Sequence, residues 1–299
     1  MDMKKLAVVV IIFVVLVSVS LLGAYLLTRH DMGLGDRVAV IEINGIITSA
    51  QSGGLFEMEG ATPERIREQL EKAEKDPSVK AIVFEINSPG GTIVASEAIA
   101  EAIKDAKKPT VAWLGEIAAS GGYYVASAAD YIVADKGSLT GSIGVVFYFP
   151  QYDSLLDKLG VKMRVIKAGR YKDIGSPYRN MTEEEEAIMN ELVLSAYDDF
   201  IETIAENRNL SADYVRTVAE GNIYTGRKAV ELRLADQIGT RQDAIDIAGH
   251  LGGVKGTPGV VTYEEGGFLR DFVGVASSRF GYGFARGLLS AETPEGLNY

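Results

Sequence analysis

The stretch GEIAASGGYYVASAAD, residues 115–130, sets one hydroxyl, Ser120, between two alanines and two glycines where an apolar run turns into a helical pattern. A serine at such a turn can act as a nucleophile if a base takes its proton. Few side chains here can do that. There is no cysteine, and the histidines are His30 and His250, so a Ser-His-Asp triad or a histidine zinc site has almost no material. What remains is a carboxylate or a neutral lysine. Lys172, in AGRYKDIGSPY at 168–178, occupies a glycine-punctuated segment after an apolar run, as a backbone shaped around a site would. Lysines are as a rule solvated surface charges, and residue type alone leaves the choice of base open.

Glycine marks three places where a strand or helix would not favour it: NSPGG at 87–91, AASGGYY at 118–124 and GSLTGSIGV at 137–145. Glycine at a strand end lets a backbone N–H approach a ligand, and an N–H at a helix start carries a positive partial charge. Two such groups converging on one point make an oxyanion hole. One glycine turn means little by itself; three of them, with a serine in the second, point to acyl chemistry.

The elements that must hold these turns are short β-branched runs alternating with helical patterns. Strands are expected at VAVIEI (38–43), AIVFEI (81–86), TVAWL (110–114), YIVA (131–134), GVVFYF (144–149) and KMRVIK (162–167). Helices are expected over 62–74, 93–106, 152–159 and 181–208, the first capped by Thr62 with Pro63 in its first turn. That alternation predicts an α/β fold with a mainly parallel sheet buried on both faces. The acid run Glu183–Glu186 reads as negative charge favoured at a helix N-terminus on a solvated face, rather than as a metal site.

Residues 6–27 contain no charge, and 22 residues at about 1.5 Å each reach about 33 Å, enough for the hydrocarbon core of a bilayer. This predicts one N-terminal transmembrane helix. Lys4 and Lys5 before it place the N-terminus in the cytoplasm and the remaining chain outside. The organisation expected is a stub and anchor at 1–30, a linker at 31–36, a catalytic domain at 37–250 and a glycine-rich tail at 251–299 with one short helix near 268–278. Residues 31–299 carry 27 basic and 40 acidic side chains, a net of −13, which repels phosphate and argues against a nucleic-acid partner. The dipeptide Gly-Lys never occurs, which excludes a standard P-loop.

Taken together, INSPGG, AASGGYY, LTGSIGV and RYKDIGSPYR strongly resemble the signal peptide peptidase A family, membrane-anchored serine proteases of the ClpP/crotonase-like fold. GNIYTGRKAVELRLADQIG at 221–239 extends the resemblance, which covers about 37–250. It implies Ser120 as nucleophile and Lys172 as general base, 52 residues apart as in the short forms of the family. It also implies Ser142 as a residue orienting that lysine, and Gly121 with Gly91, ahead of Gly90, as the oxyanion hole. Lys172 would need an apolar, desolvating site to be neutral. The implied enzyme needs no cofactor or metal. It would be a ring-like homo-oligomer at the cell membrane, hydrolysing signal peptides left in the bilayer and other apolar peptides. The alternatives are a related protease of the same fold cutting a stomatin-type scaffold protein, a crotonase-like acyl-CoA enzyme, and a non-catalytic scaffold.

Overall fold

The computed structural model describes residues 15–16, 35–49 and 60–263. Apart from Val15 and Leu16, both helical, the expected membrane anchor lies outside the described residues, as does the expected helix near 268–278. Among the described residues no helix is long and apolar enough to cross a membrane.

Strands β1 (Arg37–Ile47), β2 (Val79–Gly91) and β3 (Thr110–Ala119) lie side by side and parallel, with Ile41 opposite Phe84 and Phe84 opposite Ala112. They read as continuous apolar runs because both faces are covered. Helix α8 (Arg241–Leu251) seats Ala244, Ile245 and Ala248 against Val38, Val40, Ala81, Val83 and Val111. The alternate residues, Ala39, Ile41, Ile82 and Phe84, are equally buried. Helices α1 (Pro63–Lys75) and α3 (Gly121–Ser127) also pack on these strands, and α2 (Ile93–Lys104) connects β2 to β3. Thr62 caps α1 as its sequence predicts, its Oγ1 accepting the Arg65 N–H at 3.3 Å.

The pivot of the sheet is β3. Its first half pairs in parallel with β4 (Tyr131–Ala134), and its last three residues with β5 (Leu139–Gly141). Between these halves the β2–β3 register jumps from Ile86 opposite Leu114 to Ser88 opposite Ala118, so β3 carries a bulge. The Asn87 amide fills the gap: its Oδ1 accepts the Glu116 N–H at 2.7 Å. A Cβ on Gly115 would lie 2.4 Å from that same oxygen. Bulges bend a strand and re-aim the residues beyond them. In β3 the residue so re-aimed is Ser120, immediately after the strand.

The strand order is β6 (Ile223–Thr225), β5, β3, β2, β1, β8 (Gly259–Thr262), with β4 branching from β3 to pair with β7 (Gln237–Ile238). Between β5 and β6 (Ile223–Thr225), which pair antiparallel, come α4 (Asp153–Lys158), α5 (Glu183–Arg208) and α6 (Ala212–Val218). The order then runs α7 (Gly226–Glu231), β7 (Gln237–Ile238), α8 and β8 (Gly259–Thr262). One compact unit ends at Val261, and a second begins at Thr262, of which only Thr262 and Tyr263 are described.

Several expectations change. GVVFYF and KMRVIK form no strands. A β-branched run becomes a strand only where a neighbour completes its hydrogen bonds, and Val146, Phe147, Tyr148, Met163, Val165 and Ile166 stay exposed in the single chain. NSPGG continues β2 through to Gly91 rather than closing it, because Ile46 and Ile47 of β1 pair with Gly90 and Gly91. A strand, β8, forms inside the stretch expected to be a loose tail.

Candidate active site

Ser120 is the hinge between β3 and α3. Its N–H donates to the Gly141 carbonyl at 2.8 Å, holding it to the end of β5, and its own carbonyl accepts the Tyr124 N–H at 2.9 Å, starting the helix. The price of satisfying both is a backbone at φ 52°, ψ −122°. Ser142, one residue past Gly141, stands at φ 48° and donates its N–H to Asn222 O at 2.7 Å. Non-glycine residues in such regions cost of order 1–3 kcal/mol each and persist where the surroundings over-determine them. Two strained serines on adjoining strand ends mark this corner of the sheet as built for something other than stability.

The glycines crowd the same corner. A Cβ on Gly91 would lie 1.8 Å from the Ile47 carbonyl oxygen, and one on Gly121 would lie 2.4 Å from Ser96 Oγ and 3.1 Å from the Gly91 nitrogen. The second distance sets the two backbones side by side, next to the serine. As the first residue of α3, Gly121 has no acceptor within the helix for its N–H. Gly90, at φ 108°, has its N–H engaged by Ser88 Oγ at 3.1 Å. That leaves Gly91 and Gly121 as the better pair of donors.

Beside Ser120 opens a cleft of about 340 Å³. Its lining is mostly apolar, with Ile93, Val94, Val145, Phe147 and Phe200 around Gly91, Ser120 and Gly121; Glu97 is the charged side chain in it. Tyr124 forms part of the wall, its ring tilted against Phe200 at 5.1 Å and its hydroxyl bonded to Thr203 Oγ1 at 3.1 Å. Burial pushes the Tyr124 phenol up, so it stays neutral. Sequence reasoning singles out none of these wall residues. Tyr124 and Phe200 lie in stretches expected to be helical, and only tertiary packing turns them toward the serine.

Lys172 is not among the residues lining this cleft. It is exposed, its N–H donating to Gly169 O at 3.3 Å, so the apolar setting expected for it is absent in the single chain. Nor does Ser142 line the cleft. The loop carrying Lys172 is nonetheless anchored. Arg179 grips Asp173, Nε to Oδ2 at 3.0 Å and Nη2 to Oδ1 at 2.8 Å, and Glu185, Nη1 to Oε2 at 2.7 Å and Nη2 to Oε1 at 2.6 Å. Lys167 adds an ion pair to Asp173.

Glu185 also closes a capping box: its Oε2 accepts the Thr182 N–H at 2.9 Å while Thr182 Oγ1 accepts the Glu185 N–H at 3.2 Å. Hydrogen bonds from Arg179 and then from Lys167 hold the Asp173 carboxyl well below the usual carboxylate range. Those from Arg179 and the Thr182 backbone bring Glu185 down to about 2. The acid run read from sequence as a solvated face is therefore only partly one, since Glu185 is 3% exposed and fully bonded.

A strained serine between a strand end and a helix start, flanked by glycine N–H groups on a ClpP-like parallel sheet, defines a serine-protease class of site. Known protein families point the same way: Peptidase family S49 matches residues 102–255 and Clp protease matches 56–133. The chain belongs to peptidase family S49, the SppA-type serine proteases. The putative protease MJ0651 of Methanocaldococcus jannaschii is 36% identical over 299 residues, covering 96% of this chain and 94% of that one. A putative signal peptide peptidase SppA of Enterococcus faecium is 39% identical, covering 73% of this chain and 64% of its own length. Among solved structures, a lysine-to-alanine variant of the 1510-N membrane-bound stomatin-specific protease, in complex with a substrate peptide, superposes with a TM-score of 0.51 at 18% identity. It covers 82% of this chain and 100% of that one, a likeness that speaks for the fold.

Proposed function

We propose that this protein is a membrane-anchored endopeptidase that hydrolyses signal peptides retained in the bilayer, with Ser120 as nucleophile and Lys172 as general base. The observation that carries this is Ser120 lining a mostly apolar cleft of about 340 Å³ beside the Gly91 and Gly121 backbones. Ser120 Oγ attacks the scissile carbonyl as its proton passes to Lys172 Nζ, and the Gly91 and Gly121 N–H groups hold the oxyanion. Collapse expels the new amine, which takes that proton. Water then attacks the acyl-enzyme carbonyl, giving its proton to Lys172, and collapse breaks the ester bond, releases the carboxylic acid and returns the proton to Ser120 Oγ. An apolar wall of Ile93, Val94, Val145 and Phe147 suits the hydrophobic middle of a signal peptide, and the uncharged run 6–27 would keep the cleft near such substrates.

In the single chain Lys172 stands in solvent, so this reading includes a homo-oligomer. Covering the exposed apolar residues between Val146 and Ile166 by a neighbouring copy would also desolvate the lysine loop. The competing substrate is a stomatin-type protein, the target named for the solved structure of like fold. Purified full-length enzyme in detergent, given a synthetic signal peptide and a stomatin-derived peptide at equal concentration, decides between them. Faster cleavage of the signal peptide, lost in Ser120→Ala, is expected; preference for the stomatin peptide would transfer the assignment.

A further inference from the structure

Lys172 is tethered on both sides to a single turn of helix. On its N-terminal side, Arg170 and Tyr171 both bond the Glu184 carboxylate, and the Arg170 guanidinium lies 5.2 Å from the Tyr171 ring centroid. On its C-terminal side, Asp173 is gripped by Arg179, which at the same time forks onto Glu185. Glu184 and Glu185 belong to the first turn of α5, and Glu185 is fixed there by the capping box with Thr182. The same helix carries Ala196 and Phe200 into the wall of the Ser120 cleft.

We infer that Arg179 is a positioning residue: bridging Asp173 to Glu185, it sets the Lys172 loop in a fixed place relative to the first turn of α5, and so presents the general base of the proteolytic reaction. The inference rests on the reading of Lys172 as that base. Its physical content is geometric. A lysine has four rotatable side-chain bonds, and an exposed one explores many rotamers. What the protein can fix is the backbone from which it departs, and here the residues immediately before and after it are both pinned. A planar guanidinium is suited to the task because its rigid fork presents paired N–H groups to each of two carboxylates, a geometry that the point charge of an ammonium does not fix. The double tether also accounts for two acids in the Glu183–Glu186 run that a helix N-terminus alone would not require to be engaged.

The test uses full-length protein in detergent, with kcat and KM measured per active site titrated to completion by a fluorophosphonate, so that the end point counts folded sites however slowly each one labels. Arg179→Ala is expected to lower kcat by about a hundredfold with KM unchanged, the scale of loss a displacement of about 1 Å can produce. Millimolar ethylguanidinium should restore part of that kcat, and methylammonium should not. Asp173→Asn, which keeps size and loosens the grip, should lower kcat in the same direction, and it decides the matter if Arg179→Ala does not fold. A purely structural bridge would reduce the number of titratable sites and the melting temperature while leaving kcat per site unchanged and insensitive to guanidinium; that result overturns the inference. Lys172→Ala separates the two levels. If it is inactive while the Arg179 and Asp173 variants keep wild-type kcat per site, the base assignment stands and the positioning role falls. If Lys172→Ala itself retains activity, the base assignment falls first.

Discussion

At the scale of the residue, the proposed chemistry is tested at Ser120, Lys172 and Gly91. Ser120→Ala removes the proposed nucleophile and leaves the hydrogen bonds to Gly141 and from Tyr124, which are made by backbone. It should abolish peptide hydrolysis and fluorophosphonate labelling, with a melting temperature close to wild type. Lys172→Arg should be as inactive as Lys172→Ala, because a guanidinium has no free lone pair near neutrality. In the proposed mechanism the free amine of Lys172 takes the proton, so kcat/KM should rise with pH, and His30→Gln with His250→Gln together should leave that rising limb where it was. A limb that disappears with the histidines would remove Lys172 from the mechanism. Gly91→Ala tests the proposed oxyanion hole from another side. Its Cβ would press within 1.8 Å of the Ile47 carbonyl oxygen, backbone that can move only by separating β1 from β2, so both stability and kcat should fall.

At the scale of the element, the first turn of α5 links stability to acid. Glu185 titrates at about 2 in the fold, below its ordinary value of 4.5, because Arg179 and the Thr182 backbone favour its charged form. A carboxyl whose folded value is depressed stabilises the fold fully above its unfolded value and loses that contribution as pH falls through the folded one. Asp173 is displaced in the same direction. Glu185→Gln should therefore lower the melting temperature at pH 7, and the gap to wild type should narrow as pH falls from about 4.5 toward 2. Thermal melts of the two proteins across that range check it, and a gap that widens in acid would show that the Arg179 bridge is not what stabilises the turn.

At the scale of the whole molecule, the exposed apolar residues of 146–166 are the feature a single chain does not explain. Ile166 is 93% exposed and Tyr148 84%. Ile166→Asp should leave the melting temperature of the isolated fold within a few degrees, since the side chain packs on nothing, while reducing both oligomer mass by light scattering and kcat. Unchanged mass and activity would show that no second copy covers these residues. For topology, a C-terminal reporter active only outside the cytoplasm should be active when fused to the full chain, as Lys4 and Lys5 before the uncharged run predict.

The sequence by itself determined the class of fold and the chemistry on offer. VAVIEI, AIVFEI and TVAWL are apolar at consecutive positions, and only strands covered on both faces bury such runs, so a parallel α/β sheet is legible from them. The lack of cysteine and the scarcity of histidine narrow the partners of Ser120 without any coordinate. Tertiary structure decided what depends on residues far apart in the chain. Asn87 breaks the β2–β3 ladder at Gly115 and re-aims β3, Gly141 anchors Ser120, and Phe200 reaches the cleft from α5, none of which leaves a periodic trace. The fate of GVVFYF and KMRVIK obeys the same logic. Their composition favours strands, but a strand is a property of a pair, and the single chain supplies no second member. Glu185 looks solvated in the sequence because its burial comes from an arginine six residues earlier folding back across it, a contact set by the path of the loop rather than by the helix whose first turn holds Glu185.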